Sequence, residues 1–254
     1  QDSVTEDIIG DQVDGTEFRR ARLYVSGDIY KNVGYKAEYD FAGGGRPDFK
    51  DVYINIKKIP YVGTFQVGHF KEPFSLEELT SSKYITFMER GLSGVFAPSR
   101  NTGFMLNNHF LDNRMTYAVG MFRNSDEFGD SEGDSTTEGG YSFTGRITGL
   151  PYYEDEGKKL IHTGFSYSHQ NAFENTVSFA SRPEMNLADK FVNTGSFPAE
   201  HSNLFNPELA VVYGPFSMQT EYTFANIGID DSLKIDETLG TTTIIDGGDN
   251  PEFG

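Results

Sequence analysis

Arginines near the start of the chain have the spacing of an anion-binding site. Arg20 and Arg22 lie two residues apart in an alternating stretch, so on a β-strand both side chains share one face. The guanidinium group is a planar fork that donates two hydrogen bonds at once, which suits phosphate. The same arginines could instead pair with acids of neighbouring segments, such as Glu38, Asp40 or Asp51, and give a mixed field. Both alternatives stay open at this point.

A second group of charged residues lies in the stretch 68–101, between two segments that alternate like strands. Connections longer than about 12–15 residues inside a compact domain are usually functional. Aromatic residues are interleaved here with charged residues, among them Lys71, Glu72, Glu77, Glu78, Lys83, Glu89 and Arg90. This connection is therefore the strongest candidate for a functional segment.

Catalytic chemistry has little support in the sequence. The histidines show no metal-binding spacing, and His162 and His169 are seven residues apart, so they would face opposite sides of one strand. No GxSxG, phosphate-loop or dinucleotide-binding motif occurs. We therefore predict no enzyme activity, no catalytic residue and no cofactor.

An acidic segment could in principle bind a metal ion. Residues 126–134 contain several carboxylates, which are suitable ligands for Ca²⁺, but their spacing does not match an EF-hand loop. A hydrated external loop is the simpler interpretation. We predict no metal site there.

The net charge of −17 is unevenly distributed over the 254 residues. Three stretches, residues 1–17, 124–140 and 228–254, together carry a charge of −18, so the rest of the chain is close to neutral. Acidic stretches in loops and ends are usually just solvated. Because no basic stripe exists, binding of nucleic acid is disfavoured.

Hydrophobic periodicity over most of the chain is two, which is typical of β-strands rather than helices. In residues 20–30 the odd positions are apolar or small and the even ones are mostly polar, and about eleven segments of the chain, this one included, show such an alternation. No run of about 18 apolar residues could form a transmembrane helix. Tight connections near residues 31–33, 59–60 and 111–113 contrast with long ones at 71–101, 124–140 and 184–206.

This pattern predicts an all-β fold, and a transmembrane antiparallel up-and-down β-barrel explains it best. Outer-membrane barrels have short turns on one side and long loops on the other, with an apolar outward face. Here the apolar face is rich in Tyr and Phe, and Leu23, Val25, Ile29, Val52, Ile54 and Ile56 are predicted to face lipid. A soluble, secreted β-rich binding module also alternates, and it stays as the alternative.

Several motifs resemble the phosphate-selective porin family, also called the O/P porins. The similar segments are residues 70–77 (FKEPFSLE), 80–83 (TSSK), 87–90 (FMER), 18–22 (FRRAR), 181–184 (SRPE) and 212–217 (VYGPFS). The resemblance implies a barrel of about 16 strands in the bacterial outer membrane, surrounded by lipid and lipopolysaccharide and assembled as a homotrimer. It also implies that residues 71–101 fold inward and constrict the pore.

The family's anion path is lined by arginines, and the matching positions here are Arg19, Arg20 and Arg90. Alternation places Arg19 away from the lumen, so Arg20, Arg22 and Arg90 are the expected lining residues. Where the family has a lysine in the inward loop, this chain has Glu78, next to Glu77. An acid at the constriction should lower the local cationic potential, which Lys71 and Lys83 could restore.

The sequence is interpreted as a single β-barrel porin domain over residues 1–254, truncated at both ends. Gln1 begins a polar stretch without a signal peptide, the chain does not finish on an aromatic strand end, and an odd number of strands does not fit the even-numbered bacterial barrels. The expected function is passive diffusion of small anions, phosphate or polyphosphate-like, or of other small polar solutes. A barrel without a conducting pore is a further alternative.

Overall fold

The computed structural model describes residues 16–42, 46–130, 140–172, 175–182 and 186–229. Nearly all regular structure in these ranges is β-strand, with one helical turn, α1 (Leu76–Leu79), and two short 3-10 turns, Leu92–Val95 and Asp155–Gly157. Thirteen strands are described: β1 (Arg22–Ile29), β2 (Val33–Asp40), β3 (Asp48–Ile59), β4 (Gly63–Lys71), β5 (Arg100–Phe110), β6 (Met115–Arg123), β7 (Tyr141–Glu154), β8 (Lys159–Asn171), β9 (Thr176–Ser181), β10 (Val192–Pro198), β11 (His201–Tyr213), β12 (Phe216–Glu221) and β13 (Phe224–Gly228).

Consecutive strands pair antiparallel in a meander from β1 to β8, followed by β11 and β12. β13 continues along β11 beyond β12, and Pro207 of β11, which has no N–H to donate, lies opposite the break between them. β9 and β10 form a separate hairpin in the connection between β8 and β11. Among the described strands the sheet is open, since β1 pairs only with β2 and β12 only with β11.

The predicted all-β, antiparallel, up-and-down arrangement is confirmed, and so are the tight turns. One predicted loop is wrong: residues 184–206 contain β10 and the start of β11, because β10 finds a local partner in β9. The long connection predicted at 71–101 spans residues 72–99 between β4 and β5. Parts of the acidic stretches (residues 1–15, 131–139 and 230–254) and residues 183–184 of the 181–184 motif lie outside the described residues.

Burial in the sheet is inverted relative to a soluble protein, in which apolar residues are buried and charged ones exposed. The apolar face is open to the surroundings, with Leu23 67% and Ile54 54% exposed. The buried side chains of the opposite face are largely polar, for example Glu38, Asn55 and Thr144. Of the six residues predicted to face lipid, five are exposed and Val52 is half-buried. No helix in the described ranges is long and apolar enough to span a membrane.

A small aromatic cluster fixes the point where the chain leaves β4. The ring of Phe70 lies 5.6 Å from that of Phe122 and 6.0 Å from that of Tyr53, both in edge-on geometry. Phe74 follows four residues later and is completely buried. These rings supply apolar contact area on a face that is otherwise polar, so they hold the start of residues 72–99 against the sheet.

Candidate functional site

Residues 72–99, called here the crossing segment, contact both ends of the sheet. Near β1, Glu89 accepts hydrogen bonds from Arg19 at 2.6 Å and Arg20 at 3.3 Å. On β12, Glu221 accepts from the Ser75 hydroxyl at 3.0 Å and from the Leu76 backbone N–H at 3.0 Å. The crossing segment therefore runs over the polar face from the first strand of the meander to its last.

The contact between Glu89 and the two arginines is an ion-paired clamp. Partial burial opposes ionisation of the carboxyl, but the hydrogen bond and charge of Arg19 outweigh it and lower the pKa of Glu89. Alternation predicted that Arg19 points away from this face, and that prediction is wrong. Arg19 precedes β1, which begins at Arg22, so strand geometry does not dictate its direction.

Glu72 ties the beginning of the crossing segment to the middle of the sheet. Its fully buried carboxylate accepts hydrogen bonds from Asn101 at 2.7 Å, from Ser142 at 2.8 Å and from Thr144. Burial raises the pKa of Glu72, while these hydrogen bonds act in the opposite direction. Because the described contacts of Glu72 include hydroxyl and amide donors but no cation, this anchor differs in kind from the Glu89 clamp.

Arg90 holds the helical turn α1 in shape. Its guanidinium donates to the backbone carbonyls of Glu77 at 3.0 Å, Glu78 at 3.2 Å and Thr80 at 2.8 Å. These are carbonyls that the short helix leaves without intrahelical partners. In return, the Glu77 carboxylate accepts from the Gly91 N–H at 3.3 Å. Glu77 and Arg90 thus fold the crossing segment back on itself.

Glu78 is placed between two cations. Its carboxylate lies 2.9 Å from the Lys71 ammonium and 3.3 Å from the Arg90 guanidinium, and it accepts a hydrogen bond from Ser99 at 3.2 Å. The side chain is buried. The sequence suggested an acid that lowers the cationic potential of a constriction; here the acid is neutralised by Lys71 and Arg90 together, which leaves one positive charge.

The strands beneath the crossing segment carry a ladder of alternating charges. Antiparallel register sets Arg22 opposite Asp40, where their side chains pair at 2.8 Å, and Arg22 also approaches Glu38 at 3.5 Å. Lys36 bridges Glu38 and Asp51 at 2.5 and 2.7 Å. Arg100 closes the series on Asp51 at 2.8 Å. Of the two alternatives that the sequence left open for Arg22, a free anion-binding arginine or one paired with acids of neighbouring strands, the structure shows the second.

Where the ladder meets the crossing segment, the structure forms a cavity of about 190 Å³, called here the cationic cavity. Its charged lining residues are five cations and two acids: Arg22, Lys36, Lys71, Arg90, Arg100, Glu38 and Asp51. Asp40 and Glu78 pair with three of these cations from outside the lining. Five positive charges thus meet four negative ones, which leaves an excess of one cation.

The structure brings only part of the predicted set together. Arg22, Lys71 and Arg90 line the cationic cavity, whereas Arg19 and Arg20 lie in the Glu89 clamp and the exposed Lys83 lines no described part of it. Lys36 and Arg100 line the cavity but were not predicted as site residues. Lys36 had a usable signal, since it alternates with apolar residues on β2.

Arg100 had no such signal. Alternation from the exposed Phe104 places Arg100 on the apolar face, yet its guanidinium reaches Asp51 on the polar face. Arg100 is the first residue of β5 and pairs in register with Lys71, the last residue of β4. Where the backbone leaves the sheet at this edge, the long side chains of Lys71 and Arg100 can turn toward the polar face.

The fold and the site together define an antiparallel β-sheet of the kind found in outer-membrane barrels, with an exposed apolar face and a polar face that is crossed by a charged segment. The chain belongs to the phosphate-selective porin O and P family, whose family model matches residues 5–247. It is similar to Porin O of Pseudomonas aeruginosa, with 25% identity over an alignment of 256 positions that covers 89% of this chain and 56% of that protein. The chain thus spans about half the length of that relative.

Among the described residues, no group of three or more histidine, aspartate or glutamate side chains could hold a metal ion. The described part of the acidic segment, residues 126–130, forms a turn in which the Asp126 carboxylate accepts from the backbone N–H groups of Phe128 at 2.8 Å and Asp130 at 2.9 Å. That carboxylate is therefore used to shape the loop.

Proposed function

We propose that this chain is part of an outer-membrane diffusion channel with a modest preference for small anions. Membership of a porin family implies a channel rather than an enzyme and a location in the outer membrane. The observation that carries the anion preference is the cationic cavity, in which five cations outnumber the four acids that line it or pair with its lining.

The crossing segment is proposed as the constriction. It is held near β1 by Arg19, at β12 by Glu221, and in the middle of the sheet by the hydrogen bonds of Glu72, so its position across the polar face is fixed. Its charges meet those of the strands around one cavity, and the charges at the narrowest part of a pore decide its selectivity.

The preference should be modest because the cations are not free. Each of the five forms an ion pair at 3.3 Å or less. A phosphate ion would have to compete with carboxylates that are already in place, while a passing chloride needs only a weakly positive field. A phosphate-specific site, which the name of the family suggests, would require unpaired arginines.

A soluble binding module is less well supported. Its large exposed residues would have to include Leu23, Ile54, Phe104 and Phe165, which form the outward face of one continuous sheet. Such a surface fits lipid, in which a sheet must also satisfy its backbone groups by strand pairing. The homotrimer and the contact with lipopolysaccharide stay predictions from the family resemblance.

The test is the zero-current potential of the full-length protein in a planar bilayer that separates two KCl concentrations, with phosphate added afterwards. We expect a weak anion preference and no block of the chloride current by micromolar phosphate. A cation-selective channel, or tight phosphate block, would contradict the charge balance described above.

The constriction is tested by deleting residues 76–82, which removes α1. We expect a higher single-channel conductance and a weaker selectivity, because the crossing segment loses its helical turn and the Ser75–Glu221 contact loses its support. Unchanged conductance with intact folding would place the crossing segment outside the conducting path.

A further inference from the structure

A second and larger cavity is lined in part by the end of the crossing segment. It has a volume of about 540 Å³ and is enclosed by residues 95–101, by the ends of β7, β8 and β11, and by β9 of the separate hairpin. We call it the neutral cavity. Its size lies in the usual range for binding pockets of small molecules.

The lining of the neutral cavity is dominated by uncharged hydrogen-bonding side chains. They include Asn101, Asn124, Ser125, Ser142, Gln170 and Ser202. Of the described residues that line it, Arg100 is the one charged residue, and its guanidinium is engaged with Asp51 at 2.8 Å. Hydroxyl and carboxamide groups can donate and accept at once, so the cavity offers both functions without net charge.

Aromatic rings stand beside these polar groups. Phe96 of the crossing segment and Phe179 of β9 pack with their centroids 4.9 Å apart, and both line the cavity together with Tyr141. The three rings come from three different elements, so the apolar surface is built by tertiary packing. A flat apolar ring next to hydrogen-bonding groups matches a molecule with C–H faces and hydroxyl edges.

Some of the polar groups are fixed and others are available. Ser142 and Asn101 are oriented by donating to Glu72 at 2.8 and 2.7 Å. Among the described residues, the side-chain hydrogen bonds of Gln170 are long, to Ser168 and from Ser202, both at 3.4 Å. Ordinary bonds of this type are about 2.9–3.0 Å, so the Gln170 amide can exchange its present partners for a solute.

From this chemistry we infer that the neutral cavity binds a neutral polyhydroxylated solute of the size of a mono- or disaccharide. Among the described lining residues, an anion would find no unpaired cation and a zwitterion would find no pair of opposite charges. A purely apolar molecule would strip water from the hydroxyls and amides without replacing its hydrogen bonds. The inference extends the proposed channel function by adding a class of solute.

The experiment is isothermal titration calorimetry of the full-length protein in detergent, with maltose and, separately, sucrose as the titrant. We expect saturable binding that is weakened at least tenfold by Gln170→Ala and by Phe179→Leu. The control is Gln66→Ala, which removes a buried glutamine from β4, outside the neutral cavity. Binding by this control should equal that of the parent.

Each outcome is decisive. No saturable sugar binding by the folded parent, or equal weakening by Gln170→Ala and Gln66→Ala, would overturn the inference. Conductance of the same preparations separates it from the proposed function. A conducting protein that binds no sugar contradicts only the neutral site, and a protein that binds sugar but does not conduct contradicts only the channel.

Discussion

The polar face of the sheet has two halves with different chemistry, and the crossing segment is attached differently to each. Toward β1–β5 the side chains are charged and joined in pairs, from Arg22 with Asp40 to Arg100 with Asp51. Toward β7–β11, called here the hydroxyl half, the side chains that hold the crossing segment are the buried hydroxyls of Ser142 and Thr144, which donate to Glu72. The ion pair of Arg146 with Glu208 lies on the same strands, and no described contact joins it to the crossing segment. A strand pattern of alternating polar and apolar residues is the same in both halves. For the proposed channel, we therefore expect selectivity to depend on which polar residues occupy this face.

The two attachments should respond differently to their surroundings. Ion pairs between partly exposed groups, such as Arg19 with Glu89, weaken as salt screens them. The hydrogen bonds of Glu72 are buried, so salt should affect them less. The charged half can thus adjust the field of the cavity while the hydroxyl half keeps the crossing segment in place.

The largest effect is expected for Glu72→Ala, which removes the anchor in the hydroxyl half. The substitution leaves the donors of Asn101, Ser142 and Thr144 without their acceptor, and each buried group left unsatisfied costs about 1–3 kcal/mol. We expect the crossing segment to detach, so that single-channel conductance rises and ion selectivity falls. Single-channel recording in a planar bilayer measures both.

Glu72→Gln is the matched control, since a carboxamide keeps an acceptor oxygen and should keep the conductance near that of the parent. It also tests pH dependence. Burial raises the pKa of Glu72 in the folded protein, so folding favours the protonated carboxyl. The stability that this group contributes to the folded state is therefore fully present below its ordinary pKa of 4.5 and is lost as pH rises through the raised pKa. Conductance of the parent should therefore increase with pH, and Glu72→Gln should abolish that increase. A flat profile in the parent would show that ionisation of Glu72 does not loosen the crossing segment.

The sequence predicts the direction of side chains within regular strands but not at strand ends. Alternation predicted the exposed face of Leu23 and Ile54 and the polar face of Arg22, because a regular strand allows only two directions. It was wrong for Arg19, which precedes the first residue of β1, and it could not find Arg100, which is the first residue of β5. At these positions the backbone is not held in regular strand geometry, so alternation does not dictate the direction of the side chain.

The family motifs located the crossing segment but did not give its contacts. That Glu78 would be neutralised by Lys71 and Arg90 depends on how residues 72–99 fold, and this is set by long-range contacts such as Ser75 with Glu221. Such contacts join residues about 146 positions apart, and a local pattern carries no signal for them. The hydroxyl half was equally hidden, since serines and threonines fit any polar strand face.

The next largest effect tests the charged half itself. Arg22→Glu replaces a cation of the cationic cavity by an acid beside Asp40 and Glu38, which changes the excess from one positive to one negative charge. We expect the zero-current potential in a KCl gradient to change sign. Arg114→Glu is the control, because Arg114 packs over the Tyr153 ring and does not line this cavity. If both variants shift the potential equally, the selectivity comes from the overall charge of the protein.

A smaller effect is expected for Glu78→Gln, which removes the acid between Lys71 and Arg90 without changing its size. The field of the cavity should become more positive by one charge, and the anion preference should increase while conductance changes little. Glu78→Lys would instead bury three cations together, and we expect that variant to lose the crossing segment as Glu72→Ala does. A decrease in anion preference for Glu78→Gln would show that Glu78 acts only through the position of Arg90.

The smallest effect is expected for Lys83→Glu, although it changes the charge by two units within the crossing segment. Lys83 is exposed and lies outside the described lining of the cationic cavity, so water and salt screen its charge beyond about 8–10 Å. We expect the zero-current potential at physiological salt to stay close to that of the parent and to move measurably only at low ionic strength. The ratio of the shifts for Arg22→Glu and Lys83→Glu, measured at high and at low salt, then separates charges that face the solute from charges that merely lie nearby. Equal shifts at high salt would mean that Lys83 reaches the conducting path and that the charged half extends into the exposed part of the crossing segment.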